Sequence, residues 1–234
     1  MERFVFIFDA DDTLWENQEL FEEFEKEWEN ILLKYDIDLK KASEYLKELD
    51  LECFKLGKFG NIYFLESMEK TLKKFLSPDI LNKELVKIRM IHDDIFLKPP
   101  KVHEGIEKVL SFLKKHNQIM YILTKGHYST QKRKIEESGL EDYFNGFIVV
   151  NNKNIETYKR IENQYGFSPN TTVMIGNSPK SDINPPLKLG WFAIFFERTL
   201  LWDFETEELL NSKRLYRVKS AFELLNIIKE KILI

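Results

Sequence analysis

Four apolar segments of this 234-residue chain are each followed by polar side chains of kinds that take part in chemistry. The residues are Asp9 and Asp11 after the first, Thr124 at the end of the second, Lys153 just past the third, and Gly-Asn-Ser-Pro-Lys-Ser-Asp at 176–182 after the fourth. Taken singly, such residues are usually a polar turn, a helix cap or a solvated lysine. Their recurrence after four successive segments instead predicts one shared ligand-binding site.

The apolar segments have the composition of strands in a parallel sheet. Arg3–Phe8 is a continuous β-branched and aromatic run, typical of a strand buried on both faces. Further strands are predicted at 119–123, 147–150, 172–175, 191–196 and 215–218, with helices between them, the first at 103–116. Repeated β-α-β units imply an α/β fold, a three-layer α/β/α Rossmann-like core with a parallel sheet. Ligands bind beyond the carboxyl ends of such strands, where the polar residues stand.

Residues 16–95 differ from the rest of the chain because they carry apolar side chains at helical spacing and no convincing strand. About four helices fit this stretch, with breaks near 35–38, 57–60 and 77–79. We therefore predict an α/β core domain of residues 1–15 and 96–234, and a helical domain of residues 16–95 inserted after the first strand.

Composition excludes several classes of partner. The chain has 35 basic and 39 acidic residues, interspersed, for a net charge of −4, so no polybasic run predicts a nucleic-acid partner. Cys53 is the single cysteine, which favours a reducing compartment. The apolar run at the N-terminus is too short for a signal peptide or a membrane span, so we expect a cytoplasmic protein with no membrane partner. The oligomeric state stays open.

The polar residues also carry a resemblance to a known family. An apolar strand ending in Asp-x-Asp-x-Thr, residues 9–13, resembles the first motif of the haloacid dehalogenase (HAD) superfamily. Thr124 resembles the second motif, Lys153 the third, and residues 176–182 the fourth, in the family's order and with fitting separations. A helical insert after the first motif resembles the cap of the subgroup that includes phosphoglycolate phosphatases and 2-haloacid dehalogenases. The resemblance covers nearly the whole chain.

This resemblance implies a phosphohydrolase that acts on a small phosphorylated metabolite through an aspartyl-phosphate intermediate. Asp9 would be the nucleophile. Asp11 would protonate the leaving oxygen and later deprotonate the attacking water. Thr124 would hold phosphoryl oxygens, and Lys153 would offset the negative charge of the transition state.

The implied cofactor is Mg²⁺, bound by Asp9, the backbone carbonyl of Asp11 and a side chain of the fourth motif. That side chain is Asn177 or Asp182, and the choice stays open. Asn177 departs from the family, which commonly has Asp after the glycine. Because an amide brings no formal charge, we hypothesise a weaker affinity for the metal, with Asp182 able to compensate.

Three other functions remain open. A 2-haloacid dehalogenase uses the same nucleophile on carbon, but those relatives lack the second Asp, so Asp11 argues against it. A non-catalytic HAD-fold binding or regulatory protein is favoured by Asn177 alone. A phosphotransferase would use the same motifs.

In the helical insert, a glycine-flanked turn with Lys58 and Phe59 is a hypothetical contact for the leaving group. The physiological substrate is not fixed by these residues.

Overall fold

A computed structural model describes residues 2–198 and 205–233 of the chain. The chain divides into two compact units, an α/β unit of Met1–Gln18 with Pro100–Ile234 and a helical unit of Glu19–Pro99. Within the described ranges, no helix has both the length and the apolar composition that crossing a bilayer requires.

The α/β unit is built on a six-stranded parallel sheet. Its strands are β1 Val5–Phe8, β2 Ile119–Lys125, β3 Gly146–Val150, β4 Thr172–Gly176, β5 Phe192–Phe196 and β6 Leu215–Val218. Their order across the sheet is β3-β2-β1-β4-β5-β6, and every neighbouring pair is parallel. The order reverses at β1, which lies between β2 and β4. A ligand site is expected at this point, beyond the carboxyl end of β1.

Helices cover both faces of the sheet, so the predicted three-layer α/β/α fold is confirmed. They are α5 Ile106–Lys115, α6 Tyr128–Glu137, α7 Ile155–Tyr165, α8 Asn184–Lys188 and α9 Ala221–Ile227. Side chains alternate between the two faces of a strand, and β1 serves both layers for that reason. Phe6 and Phe8 belong to one apolar cluster, whereas Val5 and Ile7 belong to the other. All four are buried, which explains the unbroken apolar run.

The observed bounds differ from the predicted ones where local geometry decides them. β2 continues two residues beyond Leu123, because Lys125 still pairs with Val150 of β3. The helix predicted from residue 103 begins at Ile106, since Gly105 precedes it with φ of +83°, a left-handed conformation that a continuous α-helix does not contain.

The helical unit contains four helices, as predicted for this stretch. They are α1 Gln18–Leu33, α2 Leu39–Lys55, α3 Asn61–Phe75 and α4 Pro78–Phe96. Asp38 caps α2 by accepting hydrogen bonds from the backbone N–H groups of Lys40 and Lys41. Residues such as Phe24 and Trp28 are fully buried, so the apolar stripes of the sequence form the core of this unit.

Candidate active site

Three of the predicted residues meet at the carboxyl end of β1. Asp9 follows this strand directly, and its N–H donates to the carbonyl of Ile175 in β4 at 2.8 Å. The Lys153 ammonium forms ion pairs with Asp9 Oδ1 and, at 2.8 Å, with Asp182 Oδ1. All three side chains are buried. Residues that follow three different strands therefore form one ionic cluster, called here the Asp9–Lys153–Asp182 cluster.

This cluster contains two carboxylates and one ammonium group. Burial, followed by repulsion from Asp182, raises the pKa of Asp9 to about 7, although Lys153 acts in the opposite direction. Burial lowers the pKa of Lys153, but Asp182 and Asp9 outweigh it and hold that pKa above its usual range. With both carboxylates ionised the cluster keeps one uncompensated negative charge. A buried excess of this sign favours the binding of a cation or a proton.

Thr13 connects this cluster to Asn177. The Thr13 hydroxyl lies 3.2 Å from Asp9 Oδ2 and 3.3 Å from Asn177 Oδ1. Both oxygens are acceptors, and the single hydroxyl hydrogen is shared between them or given to one at a time. The Thr13 hydroxyl therefore lies between the amide oxygen of Asn177 and the carboxylate of Asp9.

The fourth motif folds back over its own glycine. The N–H of Asp182 donates to the carbonyl of Ser178 at 2.8 Å, and the N–H of Ser178 donates to Asp182 Oδ2 at 3.0 Å. The side chain of Asp182 is so close to Gly176 that a Cβ atom there would lie 2.5 Å from it. Any residue other than glycine at position 176 would displace Asp182. This steric limit explains why the motif has glycine at that position.

Asp11 makes a separate set of contacts. Its Oδ1 accepts hydrogen bonds from Trp15 Nε1 at 2.7 Å and Lys134 Nζ at 2.9 Å, and its Oδ2 accepts one from Gln131 Nε2 at 3.1 Å. Burial raises the pKa of Asp11, but the Lys134 charge and these hydrogen bonds outweigh it and place the pKa below its usual value. Asp11 is therefore held as a carboxylate.

Sequence reasoning did not identify Lys134 and Gln131 as partners of Asp11. The two residues are three positions apart on α6, so they lie on the same face of that helix. Both are largely buried, which is unusual for lysine and glutamine. A polar pair at this spacing, directly after the strand that ends near Thr124, is the one signal that would have identified them.

Thr124 lies at the end of β2, next to β1, and is buried. Its hydroxyl lies 3.3 Å from the carbonyl oxygen of Lys125, to which it donates. Gly126 follows with φ of +135°, and a Cβ atom there would lie 2.9 Å from Gln131 Nε2. The turn after β2 is therefore tight and needs glycine. The predicted contact between Thr124 and a phosphoryl group stays a prediction.

The donor atoms around Asp9 suit a hard cation. They are the carboxylate oxygens of Asp9 and Asp182 and the amide oxygen of Asn177. In residues 2–198 and 205–233 no three His, Cys, Asp or Glu side chains converge as a metal site, since only two carboxylates meet here. Mg²⁺ usually takes one or two carboxylates and keeps several waters, so this set fits it.

Comparisons with known proteins give a family and a fold. The family model described as haloacid dehalogenase-like hydrolase matches residues 5–185. A crystal structure of a haloacid dehalogenase-like family hydrolase from Xanthomonas campestris is similar, with TM-score 0.83, 24% identity and coverage of 99% of this chain and 96% of that one. A search of curated proteins gave no significant match.

Two further structures share the fold at lower similarity. The HAD-hydrolase YfnB from Bacillus subtilis, bound to magnesium, has TM-score 0.64 and 19% identity, over 97% of this chain and 99% of that one. The L-2-haloacid dehalogenase from Xanthobacter autotrophicus has TM-score 0.64 and 14% identity, over 98% of this chain and 100% of that one.

Proposed function

Because this chain belongs to the haloacid dehalogenase-like hydrolase family, we propose that it is a Mg²⁺-dependent phosphatase. It hydrolyses the phosphate ester of a small metabolite through an aspartyl-phosphate on Asp9. The observation that carries the proposal is that two carboxylates share one ammonium group in the Asp9–Lys153–Asp182 cluster, an arrangement that suits a cation, together with a further carboxylate, Asp11, two residues from the nucleophile.

In the first step the Asp9 carboxylate attacks phosphorus, the phosphorus–oxygen bond to the leaving group breaks, and an acyl phosphate forms. The Lys153 ammonium already contacts Asp9, so its positive charge offsets the negative charge that gathers as this bond forms. Thr124, at the end of β2, would donate its hydroxyl hydrogen to a phosphoryl oxygen.

Asp11 is the general acid of the first step and the general base of the second. The leaving oxygen takes a proton from Asp11 in the first step, and Asp11 takes one from the attacking water in the second. The contacts from Trp15, Lys134 and Gln131 stabilise the carboxylate form, which is the form required in the second step. The first step requires the protonated acid, and the negative charge of a phosphate ester bound beside Asp11 would raise its pKa and favour that form. Water then attacks phosphorus, phosphate leaves, and the Asp9 carboxylate is restored.

Asp9, Asp182, the amide oxygen of Asn177 and the backbone carbonyl of Asp11 are the groups that would hold Mg²⁺. The metal supplies positive charge to the phosphoryl oxygens and to the two carboxylates. The magnesium bound to the Bacillus subtilis structure makes this cofactor a reasonable choice for the proposal.

For the helical unit we propose the role of a cap that excludes water and contacts the leaving group. The turn between α2 and α3 is the candidate contact, because it carries a basic residue, Lys58, beside an aromatic one, Phe59. Glycines flank this pair, and Gly57 and Gly60 have φ of +70° and +100°. Lys58 Nζ lies 5.7 Å from the ring centroid of Tyr63, and Phe59 makes an edge contact with Phe54.

Replacing Lys58 or Phe59 by alanine should raise KM or lower kcat on the true substrate. Lys40→Ala, at an exposed position in the first turn of α2, serves as the control. Unchanged constants in both variants would reject this role for the turn.

The second candidate is a 2-haloacid dehalogenase, in which Asp9 displaces halide from carbon. The neutral side chain of Asn177, in the position where an acidic residue would add charge for a metal, favours it. The fold shared with the Xanthobacter autotrophicus enzyme agrees with either function. The presence of Asp11 favours the phosphatase, since displacement of halide needs no acid.

One assay separates these functions. The protein is tested on a panel of phosphate esters with Mg²⁺ or with a chelator, beside Asp9→Asn and the control Asp94→Asn, which changes an exposed carboxylate of α4. We expect phosphate release that needs Mg²⁺ and Asp9 but not Asp94. Chloride release from 2-chloropropionate without metal would identify the dehalogenase instead. Inactivity on every substrate would favour a binding protein.

A further inference from the structure

Glu205 lies outside every motif, on the segment that leads from β5 towards β6, and its side chain is only 12% exposed. Its Oε2 accepts hydrogen bonds from the hydroxyl groups of Ser178 and Ser181, both at 2.5 Å. Its Oε1 forms an ion pair with the ammonium of Lys125. Three donors, from the ends of β2 and β4, thus converge on one carboxylate.

The other contacts of these serines show that each hydroxyl depends on Glu205. Each hydroxyl has one hydrogen to donate. Ser178 Oγ accepts from the N–H of Ser181 at 3.0 Å, and Ser181 Oγ accepts from Lys125 Nζ at 3.0 Å. Their own hydrogens go to Glu205, and hydrogen bonds to an ionised acceptor are about twice as strong as neutral ones. Glu205 therefore fixes the orientation of both side chains.

Ser178 in turn fixes Asp182. The backbone of Ser178 makes two hydrogen bonds with Asp182. Its N–H donates to Asp182 Oδ2, and its carbonyl accepts from the N–H of Asp182. Asp182 Oδ1 is the oxygen that meets Lys153. Residues 178–181 are called here the loop 178–181, although Pro179–Ile183 form a single π-helical turn. A shift of this loop would thus move the carboxylate that belongs to the ionic cluster.

The segment that carries Glu205 is itself anchored beside this loop. Asn184 Nδ2 donates to the carbonyl of Glu208 at 2.8 Å, and the N–H of Leu210 donates to Asn184 Oδ1 at 3.0 Å. Asn184 is two residues after Asp182. Both ends of residues 205–210 are therefore bonded to the fourth motif or to the residues that follow it.

We propose that Glu205 is a positioning residue that orders the loop 178–181 and so holds Asp182 in place to bind the metal. The metal part of this inference rests on the proposed function. The effect on the loop does not. Groups that orient metal ligands without touching the metal typically change its affinity by about 10- to 100-fold when they are replaced.

The test compares Glu205→Ala and Glu205→Gln with Glu207→Ala, which removes an exposed carboxylate two residues along the same segment. Hydrogen–deuterium exchange reports on the backbone N–H groups of residues 177–182 other than Pro179. Titration with Mn²⁺, followed by electron paramagnetic resonance, reports directly on metal binding. We expect Glu205→Ala to speed exchange in this loop and to weaken Mn²⁺ binding about tenfold. Glu205→Gln keeps an acceptor oxygen and should recover part of both effects.

Each other outcome is decisive. Loop exchange in Glu205→Ala that equals the Glu207→Ala control would overturn the proposal, and so would exchange that rises equally throughout the α/β unit, because Glu205 would then only stabilise the fold. Equal losses in the alanine and glutamine variants would show that charge alone acts, and would also overturn it. If the unmodified protein binds no Mn²⁺, the Mg²⁺ assignment fails, while the local exchange result still decides on Glu205.

Discussion

The two units of this protein bury charge in different ways. In the helical unit Glu84 is fully buried and its Oε1 accepts from Lys34 at 2.8 Å and from the Tyr35 hydroxyl at 2.5 Å. One carboxylate there meets one ammonium group. In the α/β unit Lys153 is shared between two carboxylates. A buried carboxylate that is paired with one ammonium group suits a stable fold. A buried carboxylate without its own counter-charge is destabilising and therefore indicates a site that binds a cation.

Breaking the unbalanced cluster should have the largest effect. Lys153→Met leaves Asp9 and Asp182 buried without a counter-charge, so the free energy of unfolding should fall by about 3–5 kcal/mol in a chelator. Mg²⁺ should restore more stability to this variant than it adds to the unmodified protein. Thermal unfolding with and without Mg²⁺ measures both.

Lys34→Met, which removes the ammonium group of the Glu84 pair, is the control for that variant. The Lys34 side chain is 48% exposed, whereas the Lys153 side chain is 1% exposed. Lys34→Met should destabilise the protein less, and Mg²⁺ should not rescue it. Equal losses in the two lysine variants would mean that the two clusters do not differ as described.

The balanced cluster should affect stability without affecting chemistry. Glu84→Gln removes the charge that pairs with Lys34 and weakens the hydrogen bond from Tyr35, so the free energy of unfolding should fall by about 2 kcal/mol. The kcat measured well below the unfolding temperature should not change. A loss of kcat in fully folded Glu84→Gln would show that this cluster takes part in function.

Adding charge to the site tests the imbalance from the other side. Asn177→Asp introduces a carboxylate where the amide oxygen now lies 3.3 Å from the Thr13 hydroxyl. Its negative charge should tighten Mg²⁺ binding by about tenfold, since about 1.4 kcal/mol corresponds to that factor. Without metal the same variant should be less stable, because three carboxylates then share Lys153. An unchanged Mg²⁺ titration would remove Asn177 from the metal site.

The smallest effect is expected at Asp50, a carboxylate of the helical unit. Burial raises its pKa from 3.8 to about 6, repulsion from Glu25 adds to this, and a hydrogen bond from Ser67 opposes it. Because the folded pKa is the higher one, Asp50 stabilises the fold below pH 3.8, and this contribution is lost as the pH rises through about 6.

Asp50→Asn should therefore unfold at a higher temperature than the unmodified protein at pH 7.5, and the difference should shrink on acidification to pH 5. Differential scanning calorimetry at both values measures it. A difference that does not depend on pH would show that the carboxylate keeps its ordinary pKa.

Patterns local in sequence predicted the fold and the meeting of Asp9, Lys153 and Asp182. The strands were visible because parallel sheets need continuous apolar runs, and the ends of such strands meet at one edge. The glycine of the fourth motif likewise has a purely local reason in its contact with Asp182.

Partners that depend on tertiary packing were not predictable in the same way. Lys134 pairs with Asp11 across 123 residues, and Glu205 reaches Ser178 across 27 residues. The spacing of Lys134 from Gln131 is the one local signal, and Glu205 has none. The burial of these two side chains, which the sequence does not state, is what separates them from a solvated lysine and a solvated glutamate.

Turnover in H₂¹⁸O, followed by mass spectrometry of the released phosphate and of the peptide that contains Asp9, most directly separates a phosphatase, in which water attacks phosphorus, from a dehalogenase, in which water attacks the Asp9 carbonyl carbon. Attack of water on the phosphorus of an acyl phosphate puts ¹⁸O into the released phosphate and none into Asp9. Attack on the carbonyl carbon of an aspartyl ester, as expected in a dehalogenase, puts ¹⁸O into Asp9. We predict labelled phosphate, formed only with Mg²⁺, beside an unlabelled Asp9. The appearance of ¹⁸O in the Asp9 carboxylate would contradict the proposed phosphatase.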